Sequence, residues 1–412
     1  MKKIIYLSVL TVLAFTNYAS AQEFTLSGEV RPRTEMYNGN NSSLSPEGGD
    51  PTIATQQRTR LYFSYVSPEG ITIKIVPQYI NWWGGNSQTN GGTLSIFEAS
   101  ASYKFSDAAT FKFGRQPISY GDQRFFGALG WAAPGRAFDA AIGKFSFGKV
   151  KLDAGITYNQ VGLSNDYTPN YNDNHKSIQY LWLDAPLSEG GSKLSFMTAN
   201  VVQFTGSTYT TIGAIPSIKA GNVKLDFSAY YQFGQFNDVD INSYLLSAAA
   251  SFKAGSLPLT LGIDMVSGDD ESTVENEGWK QQFGTNHKFY GFMDFFYVGE
   301  QPSMGLNDIY LKTAFKLGKK SSLLTHVHML AANAEFTDEV TSSDVVSSGY
   351  LGTEIDLVYN LAVSKEFKVS LGYSQLFAAD KFGLYKAGDP GAINNWMWLQ
   401  LSATPTFFST KK

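Results

Sequence analysis

The chain has 412 residues, a formal charge of −4 and no cysteine. Aromatic residues make up 15% of it and charged residues only 17%, against about 25% charged in ordinary globular proteins. The missing cysteines exclude a disulfide framework and a lipid-attachment cysteine; the mild acidity argues against nucleic acid as a partner.

Residues 1–21 have the pattern of a cleaved secretory signal. Lys2 and Lys3 form a positive start, Ile4 to Phe15 a short apolar run, and Ala19-Ser20-Ala21 a small-residue cleavage site. The apolar run is shorter than the roughly 17–25 residues of a spanning helix, and no later stretch approaches that length. The expected mature chain is therefore a single domain over 22–412. Without Lys2 and Lys3 it carries 30 basic and 36 acidic side chains, a formal charge of −6.

From Gln22 onward the chain divides into about 18 short alternating segments. Every second connection is tiny: Ser67–Gly70, Ser106–Ala108, Phe147–Lys149, Ser188–Gly191, Ala220–Asn222, Ala254–Ser256, Gly318–Lys320 and Ser364–Lys365. Most of the others are long and polar: 38–55, 84–93, 118–135, 160–175, 268–304, 334–347 and 377–392. Two more, near 205–207 and 236–239, are short and could be bulges instead of hairpin tips, which leaves the count uncertain by about two strands. Tight turns on one rim and long loops on the other define an antiparallel β-barrel of the outer-membrane type.

The strands carry a matching code of period two. Val223, Leu225, Phe227, Ala229, Tyr231 and Phe233 share one face, and Lys224, Asp226, Ser228, Tyr230 and Gln232 the other. Ile309, Leu311 and Phe315 oppose Asp308, Tyr310 and Lys312, while Leu351, Ile355 and Leu357 oppose Gly352, Glu354 and Asp356. The chain offers no helical layer to cover the apolar face, so lipid must cover it, and closure removes the unpaired edges. Tyr62 and Tyr65, Trp82 and Trp83, and Trp396 and Trp398 are expected in interfacial girdles. A barrel of 18 strands is too wide for wall side chains alone to fill, so its lumen is expected to hold water.

All seven arginines fall between residues 31 and 136. Arg31 and Arg33 share a face of the first strand with Glu29 and Glu35; Arg58 and Arg60 share a face of the second with Tyr62. Crowded guanidinium groups, with Lys74, favour anions and fork onto carboxylates. The competing reading is that they brace the wall through Glu29, Glu35, Glu98, Asp122 and Asp139. The Gly- and aromatic-rich run 114–139 contains Arg115, Asp122, Arg124, Arg136 and Asp139, and is expected either to fold inward with Arg124 and Asp122 at a constriction or to remain a surface loop. The aromatic run 284–297 follows the acidic stretch Asp269, Asp270, Glu271, Glu275 and Glu277; that many aromatics should pack as a lid at the mouth or in the lumen. His326 and His328 share a lumen face, but no nucleophile motif accompanies them. No Cys/His metal-ligand spacing and no phosphate-cradling Gly loop is present, and no cofactor is expected.

The run 114–139, with Arg115, Tyr120, Asp122, Arg124, Trp131, Arg136 and Asp139, resembles the signature of alginate-export-type outer-membrane porins. Residues 28–37, 57–63, 284–297 and 393–401 extend the resemblance along the chain. It implies an 18-stranded barrel in the outer membrane of a Gram-negative bacterium, conducting an anionic uronate polymer. Arg31, Arg33, Arg58, Arg60, Arg115, Arg124 and Arg136 would then be lumen contacts for carboxylates. The expected partners are outer-membrane lipid and an anionic saccharide or small anionic solute, without catalysis. The alternatives are a general diffusion porin and a barrel acting as receptor or adhesin. At the C-terminus Pro405 is expected to end the last strand, leaving Phe407 or Phe408 as terminal aromatic.

Overall fold

The computed structural model describes residues 22–411 apart from 40–41, 85–90, 161, 164–168, 171–174, 299–301, 339 and 341–343. The expected signal segment, 1–21, lies outside the described residues. The first six barrel strands are β1 (Glu23–Asn38), β2 (Thr52–Val66), β3 (Ile71–Trp82), β4 (Thr93–Ser106), β5 (Ala109–Gln116) and β6 (Phe138–Phe147). They are followed by β7 (Val150–Tyr158), β8 (His175–Pro186), β9 (Lys193–Gln203), β10 (Thr208–Ala220), β11 (Val223–Phe236) and β12 (Val239–Ala254). The last six are β13 (Leu257–Val266), β14 (Leu306–Lys316), β15 (Ser321–Ala332), β16 (Gly349–Ala362), β17 (Phe367–Ala378) and β18 (Asn394–Ala403). Each pairs antiparallel with its neighbours in sequence, and β1 pairs with both β2 and β18, which closes the ring.

All eight tight turns fall where the sequence places them, and residues 204–207 and 237–238 are true hairpin tips, so the strand number is 18. Asn237 and Asp238 both adopt positive φ, the conformation a two-residue hairpin of type I′ demands. Among the described residues helix is confined to single turns in loops, Asn286–Lys288 and Phe382–Tyr385.

Alternation sorts the side chains as a lipid-covered barrel requires. Phe227, Tyr231 and Phe233 are exposed outward, while Ser228, Tyr230 and Gln232 are buried inside. Leu261, at the middle of β13, is 50% exposed, and its neighbour Thr260 lines the interior. Leu261→Arg should therefore cost about 2–4 kcal/mol if its depth is near the midplane, and Thr260→Arg far less. Urea titration of the two variants in lipid vesicles measures the difference.

Three expectations about the strands need correction. Tyr62, Trp396 and Trp398 are not girdle residues. Leu61, Met397 and Leu399 take the outward face, so period two turns Tyr62 onto Glu29 and buries both tryptophans inside. Leu351 does not share the outward face of Ile355 either. The register between β15 and β16 slips at Leu330/Ala331, leaving Leu351 unpaired and fully buried, the effect of a β-bulge. Pro405, thirdly, interrupts the last strand without ending it. Its carbonyl still accepts from Gly28 N at 3.0 Å, and Thr406–Ser409 resumes pairing with β1. A proline removes only the donor at its own position, so Phe408 reaches a register position opposite Leu26.

Candidate functional site

The wide lumen is not simply filled with water. The loop between β5 and β6 (117–137) and the loop between β13 and β14 (267–305) fold inward and pack on one another. Gly127 N donates to the Phe283 carbonyl, Thr285 N to the Gln123 carbonyl, and the Arg136 guanidinium to the Gly284 carbonyl, at 2.8–2.9 Å. Phe125, Phe126, Phe283, Phe289, Tyr290, Phe295 and Phe296 are buried in the resulting core. The aromatic lid expected from 284–297 thus lies inside the barrel, where ring burial offsets the ordering of a long loop. The loop between β17 and β18 joins it through Phe382 against Phe295 and Tyr385 stacked on Phe296.

The arginine wall forms as a set, but its immediate ligand is the protein's own backbone. Arg31 donates to the carbonyls of Gly130 and Trp131 at 2.8 Å, and Arg33 to that of Trp131 at 3.0 Å. Arg58 reaches the Ala132 carbonyl at 3.2 Å, and Arg60 that of Pro134 at 2.9 Å. Four guanidinium groups on two adjacent strands therefore hold one irregular segment, 130–134, by its carbonyl oxygens. Irregular backbone inside a barrel needs such donors, because buried carbonyls left unpaired are costly. Glu29 neutralises part of the charge, 2.6 Å from Arg58 and 3.7 Å from Arg31, and Glu35 pairs with Arg33 at 3.2 Å. Trp131 completes the clamp, stacked between the Arg33 guanidinium at 3.8 Å and the His287 ring at 4.5 Å. Wall bracing, the competing reading for the arginines, and the inward fold expected of the run 114–139 turn out to be one structure.

Arg124 and Asp122 form a second knot. Arg124 is 3% exposed and lies 2.6 Å from Asp264, which is 1% exposed. Its guanidinium also donates to Tyr290 at 2.9 Å and sits 4.0 Å over the Phe289 ring. Burial disfavours its charge and is the largest single effect, but Asp264, Tyr290 and Asp122 together more than offset it, so its pKa is pushed above the usual value. Asp122 accepts from Ser228 and Tyr230, each at 2.7 Å. Tyr290, Asp294 and Tyr297 all hold positive φ near +60°, a conformation that strains ordinary residues and gathers at functional segments. Between them Gly291, at φ +90°, lies so close to β16 that an added Cβ would sit 2.4 Å from the Glu354 carboxylate. Met293 N donates to that same carboxylate at 2.8 Å.

Between these inward loops and the tight-turn rim lies a cavity of about 570 Å³. Lys193, Lys224, Lys288 and Lys312 line it with Arg124, and Asp122 and Asp226 are the acids among its lining. Lys224 pairs with Asp226 at 2.7 Å. Lys288, on the inward loop, faces the cavity. The surrounding protein lowers its pKa, with Asp122 opposing that shift and Arg124 adding to it. Its ammonium is exposed to the cavity and donates to the Asp122 carbonyl at 3.0 Å, which leaves it able to meet an arriving anion.

Of the expected site residues, Arg31, Arg33, Arg58, Arg60, Arg124, Arg136 and Asp122 come together inside the barrel. Lys74 faces inward beside Ser64 and Ser100 in register, without an ion pair among the described residues. Arg115 and Asp139 do not belong to the lumen. Phe111 and Phe113 fix the outward face of β5, so Arg115 points outward and meets Asp139 at 3.1 Å, with side chains 42% and 56% exposed. Of the cavity lysines, Lys312 is on the inner face expected from alternation, while Lys193 and Lys288 were not singled out from the sequence. For Lys193 the signal available was its alternation with outward apolar residues on β9; nothing in the sequence marked Lys288.

The alginate export family model matches residues 94–389, and the chain belongs to that family. A search of curated protein sequences finds no significant match. Among solved structures, OccK2 (OpdF) of Pseudomonas aeruginosa superposes with a TM-score of 0.67 at 14% identity, over 93% of this chain and 98% of that one. The same protein in complex with glucuronate gives 0.63 at 14% identity, again over 93% and 98%. OpdK of Pseudomonas aeruginosa with vanillate gives 0.63 at 12% identity, over 93% and 99%. At such identities the likeness shows the fold, that of outer-membrane porin barrels.

Proposed function

We propose that this chain resides in the outer membrane of a Gram-negative bacterium and passes anionic saccharides or small carboxylated solutes, uronates foremost. Its tight turns would face the periplasm and its long loops the exterior. The observation that carries this reading is the lysine-lined cavity against the inward loops. Its volume falls in the range of small-molecule sites, about 300–1,000 Å³, and it suits one or a few carboxylated sugars better than an extended polymer. The glucuronate held by a barrel of the same fold points to the same chemistry. Cations on the wall lower the entry barrier for carboxylates, while Asp122 and Asp226 keep binding weak enough for release.

Single-channel current from refolded protein in a planar bilayer, under a salt gradient and with glucuronate or its oligomers added, tests this. The expected result is an anion-selective current reduced by glucuronate, with the reduction weakened severalfold in Lys224→Ala/Lys288→Ala. Unselective current indifferent to uronates would leave a general diffusion porin. A second reading, a surface receptor, draws on the filled lumen; negligible conductance under all conditions would favour it.

A further inference from the structure

Three side chains on two paired strands remain outside the account above. His326 and His328 stand two residues apart on β15, and the β15–β16 register sets Asp356 opposite His326 and Glu354 opposite His328. One ligand-type atom from each of His326, His328 and Asp356 lies within 4.8 Å of the other two. We propose that this trio is a binding site for a borderline divalent transition-metal cation of the Zn²⁺ kind.

The hydrogen bonding around the trio leaves a place for a cation. His328 Nδ1 and Asp308 Oδ2 are 2.7 Å apart. A proton on Nδ1 shared with that carboxylate leaves Nε2 with a bare lone pair. That lone pair faces Asp356 Oδ2 at 3.9 Å, too far for a hydrogen bond. Asp356 Oδ2 has no hydrogen-bond partner, although Asp356 is only 1% exposed; His326 Nδ1 and Glu354 Oε2 are likewise buried and unpartnered. Acceptors brought together in a dry site repel unless a proton or a metal cation is shared between them. In a tetrahedral zinc site, neighbouring ligand atoms are about 3.3 Å apart, so modest rotamer shifts would close this set.

The surroundings match those of built metal sites. Asp308 on His328 is the carboxylate–imidazole contact that fixes tautomer and ring orientation, and Ser374 Oγ donates to Asp356 Oδ1 at 2.5 Å. The carboxyl groups of Asp308, Glu354 and Asp356 face the cluster from the two flanking strands beside the Lys312 amine, while Asp264 is already paired with Arg124. His326 is also part of the lining of the 570 Å³ cavity, which supplies a route inward. Two imidazoles and a carboxylate favour Zn²⁺ or a neighbouring transition metal over Ca²⁺ or Mg²⁺, which prefer all-oxygen shells.

The test is titration of EDTA-treated, refolded full-length protein in detergent with Co²⁺, followed by its visible absorbance, then displacement by Zn²⁺. One Co²⁺ per chain is expected. Affinity should fall at least tenfold in His326→Gln and Asp356→Asn, and about 10- to 100-fold in Asp308→Asn. His175→Gln, which changes a histidine outside the trio, should leave it unaltered. Heat-modifiable gel mobility shows which variants retain the barrel. If Asp356→Asn does not fold, His326→Gln on the cavity wall decides alone. Equal Co²⁺ binding by wild type and His326→Gln, or none by the wild type, overturns the proposal.

Discussion

Replacing Arg124 with leucine should release the inward loops and raise single-channel conductance severalfold, with the barrel itself intact. Arg124 and Asp264 are both almost fully buried and 2.6 Å apart. Removing one member of such a pair strands the other charge in a dry interior, at about 3–5 kcal/mol. The strand carrying Asp264 is held by ladders on both sides, whereas loop 117–137 has no ladder and relies on side-chain contacts, among which Arg124–Asp264 is the most buried ion pair. The destabilisation therefore falls on the loop. Leaving Asp264 without its cation also removes positive charge from the cavity, so anion preference should fall as conductance rises. The double variant Arg124→Leu/Asp264→Leu should recover most of the stability, since a hydrophobic pair of similar volume often replaces a buried ion pair at little cost. Conductance in planar bilayers and limited proteolysis near 117–137 give the readouts. Unchanged conductance in Arg124→Leu would show that the knot does not hold the constriction.

The second large effect is expected from Arg58→Gln/Arg60→Gln. Were these side chains free contacts for passing carboxylates, the variant would lose anion preference and keep its conductance. The geometry predicts both to change. Arg58 and Arg60 bind the carbonyls of Ala132 and Pro134, and Arg58 also neutralises buried Glu29. A charged hydrogen bond of this kind contributes about 1.5–3 kcal/mol, so losing two should free segment 130–134 and leave Glu29 to Arg31 and Tyr62. Reversal potential and conductance, measured together, separate the cases. A shifted reversal potential at constant conductance would mean that the arginines act on the solute directly and not through the loop.

The two predictions rest on features of unequal legibility. The arginine concentration before residue 137 was visible at once, as was its sharing of one face in β1 and β2, because period two is a local property of a strand. What the guanidinium groups hold was not visible. Their partners lie about 70–100 residues downstream and are backbone carbonyls, which carry no residue-type signal at all. Arg115 was misplaced because it was grouped with its neighbours in the run instead of being counted in phase with Phe111 and Phe113. Trp396 and Trp398 were misassigned for a related reason: aromatic residues near a strand end suggest a girdle, but phase decides the face, and Met397 and Leu399 hold the outer one.

The histidine cluster shows the same division. His326 and His328 on one face of β15 follow from spacing, yet two histidines alone select no partner. Only the strand register, set by turn length and by the bulge at Leu330/Ala331, brings Asp356 and Glu354 across from them. The amino-acid sequence by itself determined the closed barrel, its strand number to within about two, the two unlike rims and the lipid face of most strands, since alternation and turn chemistry act between near neighbours. The tertiary structure decided that the lumen is occupied, that the arginines clamp a loop, and where the cavity and the histidine–carboxylate cluster lie. Those depend on contacts between segments distant in the chain, where closure of the ring and loop packing, not local propensity, set the distances.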